Sequence, residues 1–221
     1  VLGRRERDVR RGYTIPPTIG LDTIIEGIRH PSWTWDFLTH EPIVFANVVG
    51  RPGADRSEGV ALAVHVMDQF DQKLSWDDLD WLRSIWDGPI MLKGIQTVDD
   101  ARRATAAGIE GIGLSNHGGR QLDDAPAPID LVEPVAQELQ GAATIIVDGG
   151  VRRGSDIVKA IALGANGVSI GRPYLYGLGA AGERGVDHVL RFFADGLART
   201  MALCGRTRVS DIDRGLVRRR T

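Results

Sequence analysis

The segment from Ala143 to Pro173, ATIIVDGGVRRGSDIVKAIALGANGVSIGRP, decides how this chain folds. Its first run, Ala143 to Val147, is short, apolar and rich in β-branched residues, as a strand buried on both faces requires. Asp148-Gly149-Gly150 closes that run, and a helical pattern from Ser155 to Leu163 follows, with Gly164 as its C-terminal stop. A second short strand, Gly167 to Ile170, ends in Gly171-Arg172-Pro173. Strand, helix and strand in this order predict parallel pairing through a right-handed crossover.

The same beat runs upstream. Pro89-Ile90-Met91-Leu92-Lys93 reads as a buried strand, and Thr97 is placed to cap a helix from Val98 to Ala107 that Gly108 ends. Ile109 to Ser115 is the next strand and Ile129 to Leu139 the next helix. Beyond Pro173 a long amphipathic helix is expected from Val186 to Leu203. Four βα units are half of a (β/α)8 barrel, whose eight units typically need roughly 250 residues. The fold class is therefore α/β, the C-terminal half (strands 5 to 8) of a TIM barrel, over residues 89–212. Residues 1–88 do not supply four further units. They hold an Arg-rich start, a Thr14-Ile15-Pro16-Pro17 turn, a Trp33/Trp35/Phe37 cluster and a Gly/Asp-rich loop around Gly50 to Gly59, and read as connector, helices and active-site loop following barrel strand 4. Ser75-Trp76-Asp77-Asp78 carries a helix-start pattern with Ser75 as cap. Residues 213–221, with Arg218-Arg219-Arg220, are expected to form a flexible basic tail.

Bulk properties narrow the function classes. Among 221 residues, 43% hydrophobic and 25% charged content suit a globular protein, and a net charge of −2 argues against nucleic acid as a partner. The single cysteine, Cys204, excludes an internal disulfide and is read as a packed helix residue. No apolar run approaches the roughly 20 residues of a membrane span, and Val1-Leu2-Gly3-Arg4-Arg5 contains no signal-peptide core, so a cytoplasmic location is the expectation. His30, His40, His65 and His188 show no ligand spacing, and no metal is expected. Trp33, Trp35 and Phe37 are expected in the core or in a subunit contact.

The chemistry concentrates at the strand ends. Adjacent glycines let the backbone approach an anion closely, and the helix that follows presents unpaired N–H groups at its N-terminus. Gly171-Arg172 repeats a glycine and an arginine at the end of the next strand. Loops after barrel strands 7 and 8 commonly build a phosphate site. Upstream, Ser115-Asn116-His117-Gly118-Gly119-Arg120-Gln121-Leu122-Asp123 puts an imidazole and a guanidinium three residues apart. A base that titrates near neutrality and a planar cation that grips a carboxylate two-pronged are what oxidation of a 2-hydroxy acid requires. Lys93 closes an apolar strand, where an unpaired ammonium is costly, which points to a functional role. Arg5 stands in Arg4-Arg5-Glu6-Arg7-Asp8, a run that composition alone reads as solvated.

Together with Lys93-Gly94, these motifs in this order and spacing resemble the FMN-dependent α-hydroxy-acid dehydrogenase/oxidase family. That family includes L-lactate dehydrogenase, glycolate oxidase, lactate monooxygenase and mandelate dehydrogenase. The likeness runs from residue 1 to about residue 212, and its most specific part is His-Gly-Gly-Arg-Gln-Leu-Asp. Asp-Gly-Gly is shared with other phosphate barrels such as inosine monophosphate dehydrogenase, but those need a nucleophilic cysteine in a mid-barrel loop, and Cys204 lies in a late helix. The resemblance implies FMN-dependent oxidation of an L-2-hydroxy acid, lactate- or mandelate-like, to the 2-oxo acid. It implies that His117 takes a proton from substrate, that Arg120 binds its carboxylate, and that Arg5 is a second arginine near the substrate. It places Lys93 beside the flavin N1/C2=O edge with Ser115 in contact, and Asp148, Gly149, Gly150, Arg152, Gly171 and Arg172 around the ribityl phosphate. It further implies an electron acceptor (oxygen, quinone or cytochrome), a homo-oligomer, tetrameric by resemblance, and membrane contact of the mandelate dehydrogenase kind. The family's aspartate that orients the histidine lies upstream of Val1. The alternative reading is therefore a non-catalytic half-barrel, a fragment or assembly module that retains a phosphate/FMN site.

Overall fold

The computed structural model describes residue 10, residues 20–40 and residues 73–218. The chain divides into two compact units, Val1–Asp78 and Leu79–Thr221. In the first, helix α1 (Leu21–Arg29) and helix α2 (Pro31–Thr39) meet at His30, which ends one and begins the other. Pro31 suits the first turn, where its missing N–H costs no helical bond. The Thr34 hydroxyl donates to the Gly27 carbonyl at 2.7 Å and ties the helices into a hairpin. Neither helix has a buried residue. Trp33 and Phe37, four apart and so on one face, stack at 5.1 Å between ring centroids. Trp35, two residues from each, falls on the far side and is 72% exposed. The core reading of this cluster is thus corrected: apolar side chains spread round a nine-residue helix leave no single face to bury.

The second unit is a four-stranded sheet flanked by helices. Its strands are β1 (Met91–Ile95), β2 (Gly111–Ser115), β3 (Thr144–Asp148) and β4 (Gly167–Ser169), parallel and in sequential order. Helix α3 (Asp78–Ile85) precedes them; α4 (Val98–Ala106), α5 (Pro128–Leu139) and α6 (Gly154–Ala162) make the crossovers. Asp78 accepts both the backbone N–H and the hydroxyl of Ser75 at the start of α3, and Thr97 accepts the Asp100 N–H at the start of α4. Every residue of β2 and the alternate residues Ile145 and Val147 of β3 are buried, as are Ala101, Ala104, Val132, Val135 and Val158 of the helices. The expectation that the strand at Lys93 is buried does not hold. Among the described residues strand β1 pairs only with β2, and Met91 and Lys93 stand exposed.

Past β4, Arg172–Leu203 is helical but interrupted at Ala181 and Gly182, whose backbones are non-helical. We call the whole element α7. Its first segment was hidden in the sequence by Gly177, Gly179, Gly182 and Gly185, which read as breakers. In space two of them are contacts: a Cβ on Gly185 would lie 1.8 Å from the Gly177 carbonyl oxygen, so the two segments cross backbone to backbone there. Gly154 at the start of α6 meets Gly196 and Leu197 in the same way, 2.0 Å from the Leu197 nitrogen to where its Cβ would be. Cys204 follows α7 and is exposed rather than packed. Residues 213–218 depart from the expected flexible tail. Arg214 pairs with Glu133 of α5 at 2.5 Å in a short 3-10 turn, and Leu216 and Val217 rest on a core of Val158, Ala162, Met201 and Ile212.

Candidate active site

The C-terminal ends of the four strands open onto one side of the second unit, and the expected site residues lie there. A cleft of about 510 Å3 is lined by Lys93 from β1, His117 and Arg120 from the loop after β2, Asp148, Gly149, Gly150 and Arg152 after β3, and Gly171 and Arg172 after β4. Ser115 lies beneath them, only 1% exposed. Arg5 lies outside the described residues.

Strand alternation explains how Lys93 reaches its partners. On β2 the residues Ile112 and Leu114 are buried against the sheet's neighbours, so Gly111, Gly113 and Ser115 share the other face. Gly113 pairs in register with Lys93, and a Cβ there would come within 3.3 Å of the Lys93 Cγ. The missing side chain lets the lysine stem lie across β2. Its ammonium then bonds the Ser115 hydroxyl at 3.0 Å and the Asp148 carboxylate at 2.5 Å. Ser115 donates to Asp148 at 2.9 Å and accepts the backbone N–H of His117 at 3.0 Å. Burial alone would raise the Asp148 pKa, but the bonds from Lys93 and Ser115 and the nearby Lys93 and His117 outweigh it and hold the group below the ordinary carboxylate range.

The loop after β2 turns sharply. His117, Gly118 and Gly119 all have positive φ (54°, 70° and 69°), a conformation that non-glycine residues rarely adopt. Asn116 braces the turn: its side-chain oxygen accepts the Gly119 N–H, and its amide donates to the Pro126 carbonyl. Arg172 reaches across from β4 and donates to the Gly118 carbonyl at 3.0 Å. Asn116 and Gly113 were not anticipated from sequence. An Asn before a glycine pair is a turn signal that could have found the first. The second becomes visible only once the strand register is known.

The groups present fit a phosphorylated aromatic cofactor. The cleft volume lies in the range of small-molecule sites. Lys93, Arg120, Arg152 and Arg172 face it against Asp148, whose charge is already paired with Lys93. Gly149 and Gly150 have φ of 108° and 77°, and a Cβ on Gly150 or Gly171 would enter open space, so the backbone there can be approached closely. One expected donor set is altered. The Asp156 carboxylate accepts the N–H groups of both Arg152 and Arg153 at 3.0 Å, so these amides serve as the cap of α6.

The family model for FMN-dependent dehydrogenases matches residues 1–219. A Mycobacterium tuberculosis protein provisionally named an L-lactate dehydrogenase is 47% identical over 212 residues, covering 96% of this chain and 50% of its own length. Glycolate oxidase 2 of Oryza sativa subsp. indica is 43% identical, with coverage of 98% and 53%. The chain spans about half the length of these relatives. Among solved structures, the monotopic membrane protein (S)-mandelate dehydrogenase superposes with a TM-score of 0.92 at 37% identity, covering 100% of this chain and 58% of its own. A mandelate oxidase variant superposes at 0.62 and 42% identity, over 64% of this chain and 45% of its own.

Proposed function

The chain belongs to the FMN-dependent dehydrogenase family, and on that premise we propose that it carries the base, the carboxylate clamp and the phosphate grip of a site oxidising an L-2-hydroxy acid to the 2-oxo acid. The observation that carries the proposal is the convergence of His117, Arg120, Lys93, Arg152 and Arg172, drawn from four successive strand ends, on one cleft. FMN, the family's cofactor, supplies the two-electron acceptor when bound. Arg152 and Arg172, with the Gly149–Gly150 and Gly171 backbones, hold its phosphate. Lys93 would bring a positive charge to the flavin N1/C2=O edge. Arg120 fixes the substrate carboxylate with two parallel N–H bonds, and His117 is the base that takes a proton from the substrate. Arg5 joins the substrate side on the family pattern.

His117→Gln should leave FMN bound while flavin reduction by L-lactate or L-mandelate slows by about 10²–10⁴-fold in stopped flow. Reduction at the unaltered rate would remove His117 from the chemistry. A wild-type chain that holds FMN but is never reduced by either acid would favour the non-catalytic half-barrel.

The hairpin of α1 and α2 supports a second element of the proposal, peripheral contact with a membrane surface. Leu21, Ile28, Trp33, Trp35 and Leu38 are all more than half exposed. Aromatic and aliphatic groups of this kind seat a helix in the headgroup boundary. The whole-chain match to a monotopic membrane protein, set against oxidases that cover about two thirds of the chain, favours the same reading. No helix among the described residues is long and apolar enough to cross a membrane.

A further inference from the structure

We infer that Asp148 is a positioning residue rather than a phosphate ligand: with Ser115 it locks the Lys93 ammonium and the His117 turn into one unit. The inference rests on the FMN reading for the identity of the cleft's ligand, but its geometry stands independently. Three strand ends meet at one buried hydroxyl. Ser115 Oγ accepts from Lys93 at 3.0 Å and from the His117 N–H at 3.0 Å, and donates to Asp148 at 2.9 Å. Asp148 closes the ring on Lys93 at 2.5 Å.

Each bond fixes a different degree of freedom. The carboxylate sets the hydroxyl's rotor, because Ser115 has one proton to donate and directs it at Asp148. With that proton committed, the oxygen lone pairs face Lys93 and the His117 amide. The amide bond in turn holds His117 at φ 54°, a backbone state that a non-glycine residue keeps only when its surroundings impose it. A carboxylate bonded to an ammonium and a hydroxyl is poorly suited to face a phosphate, which like charge would repel. The anion site is left to Arg152, Arg172 and the glycine backbones. Gly113 is part of the device, since a Cβ there would press on Lys93 at 3.2 Å from its Cα and 3.3 Å from its Cγ.

The test uses the 221-residue chain carrying Asp148→Asn, Ser115→Ala or Gly113→Ala, each checked for native circular dichroism. Hydrogen exchange at the His117 amide is read by NMR, and the affinities for FMN and riboflavin by quenching of flavin fluorescence. Ser115→Ala and Asp148→Asn should each speed His117 amide exchange at least about tenfold, with the double variant no faster than the quicker single, because coupled groups are non-additive. Gly113→Ala, which alters no hydrogen-bonding group, should move the Asp148 carboxyl titration upward by displacing Lys93. The preference for FMN over riboflavin, which reads the phosphate alone, should be kept within about threefold in Asp148→Asn and fall at least about tenfold in Arg172→Ala. Asp148→Asn losing as much of that preference as Arg172→Ala, with the His117 amide unmoved, would overturn the assignment. A wild-type chain that binds no FMN would instead sink the functional reading, while the exchange data still decide whether the unit exists.

Discussion

Asp148 and Asp156 have different tasks: the first bonds Lys93, the second caps α6. Burial would raise the pKa of each. For Asp156 the Arg152 amide and Lys159, with the Arg153 amide, outweigh burial, as Lys93 and Ser115 do for Asp148. A carboxyl whose folded pKa is depressed stabilises the fold above its unfolded value, and that stability is lost as pH falls through the folded value. Both contributions are therefore complete above about pH 4 and fade below it. Chemical denaturation across pH 2 to 6 (about that range) should show a steep acid limb that Asp148→Asn and Asp156→Asn each flatten; an unchanged limb would separate these groups from stability. Arg120→Lys in the active enzyme should raise KM and lower kcat, because a point charge cannot make the two-pronged carboxylate contact. At this scale the motif residues were legible in sequence, since Gly-Gly, His-Gly-Gly-Arg and Gly-Arg are chemical signals in themselves. Which partner each one touches was not. The resemblance groups Asp148 with the phosphate residues; its bonds to Ser115 of β2 and Lys93 of β1 became visible only with the strand register.

Among the elements, the helix starts at Thr97 and Asp78 and the three crossovers followed from caps, periodicity and glycine stops. What escaped was the first segment of α7. Glycine lowers helix propensity, and four of them in nine residues outweigh any apolar pattern. Gly177 and Gly185 stand where the two backbones touch, a tertiary fact that no local rule carries. Strand β1 was misjudged for a related reason: its apolar composition implies cover on both faces, and the described residues give it one neighbour. Gly154→Ala and Gly185→Ala should each destabilise the fold by about 1–3 kcal/mol, because a methyl must displace the facing backbone. Urea midpoints measure this; a shift below about 0.5 kcal/mol would mean the close approaches are soft.

For the whole molecule, α/β class and parallel order were readable from alternation alone, and the match to FMN-dependent dehydrogenases over residues 1–219 accords with them. Among the described residues, β1 and β4 each present an edge with one neighbour. Unpaired edges of this kind pair with other chains, so light scattering of the chain alone should give a mass above that of a monomer. A compact monomer would contradict this. Vesicle sedimentation addresses the hairpin: Trp33→Ser with Trp35→Ser should release the chain from phosphatidylglycerol-containing vesicles without altering FMN affinity. Retention of the variant on vesicles would place membrane contact elsewhere.

The claim on which everything else rests is that the strand ends of this chain grip a flavin by its phosphate. Calorimetric titration with FMN and with riboflavin, side by side, tests it most directly. The two ligands differ only in the phosphate, and each charge-assisted hydrogen bond to it contributes about 1.5–3 kcal/mol. FMN should therefore bind at least about a hundredfold more tightly than riboflavin, and Arg152→Ala with Arg172→Ala should erase most of that difference. Equal affinity for the two flavins, or a preference that survives loss of both arginines, would contradict it.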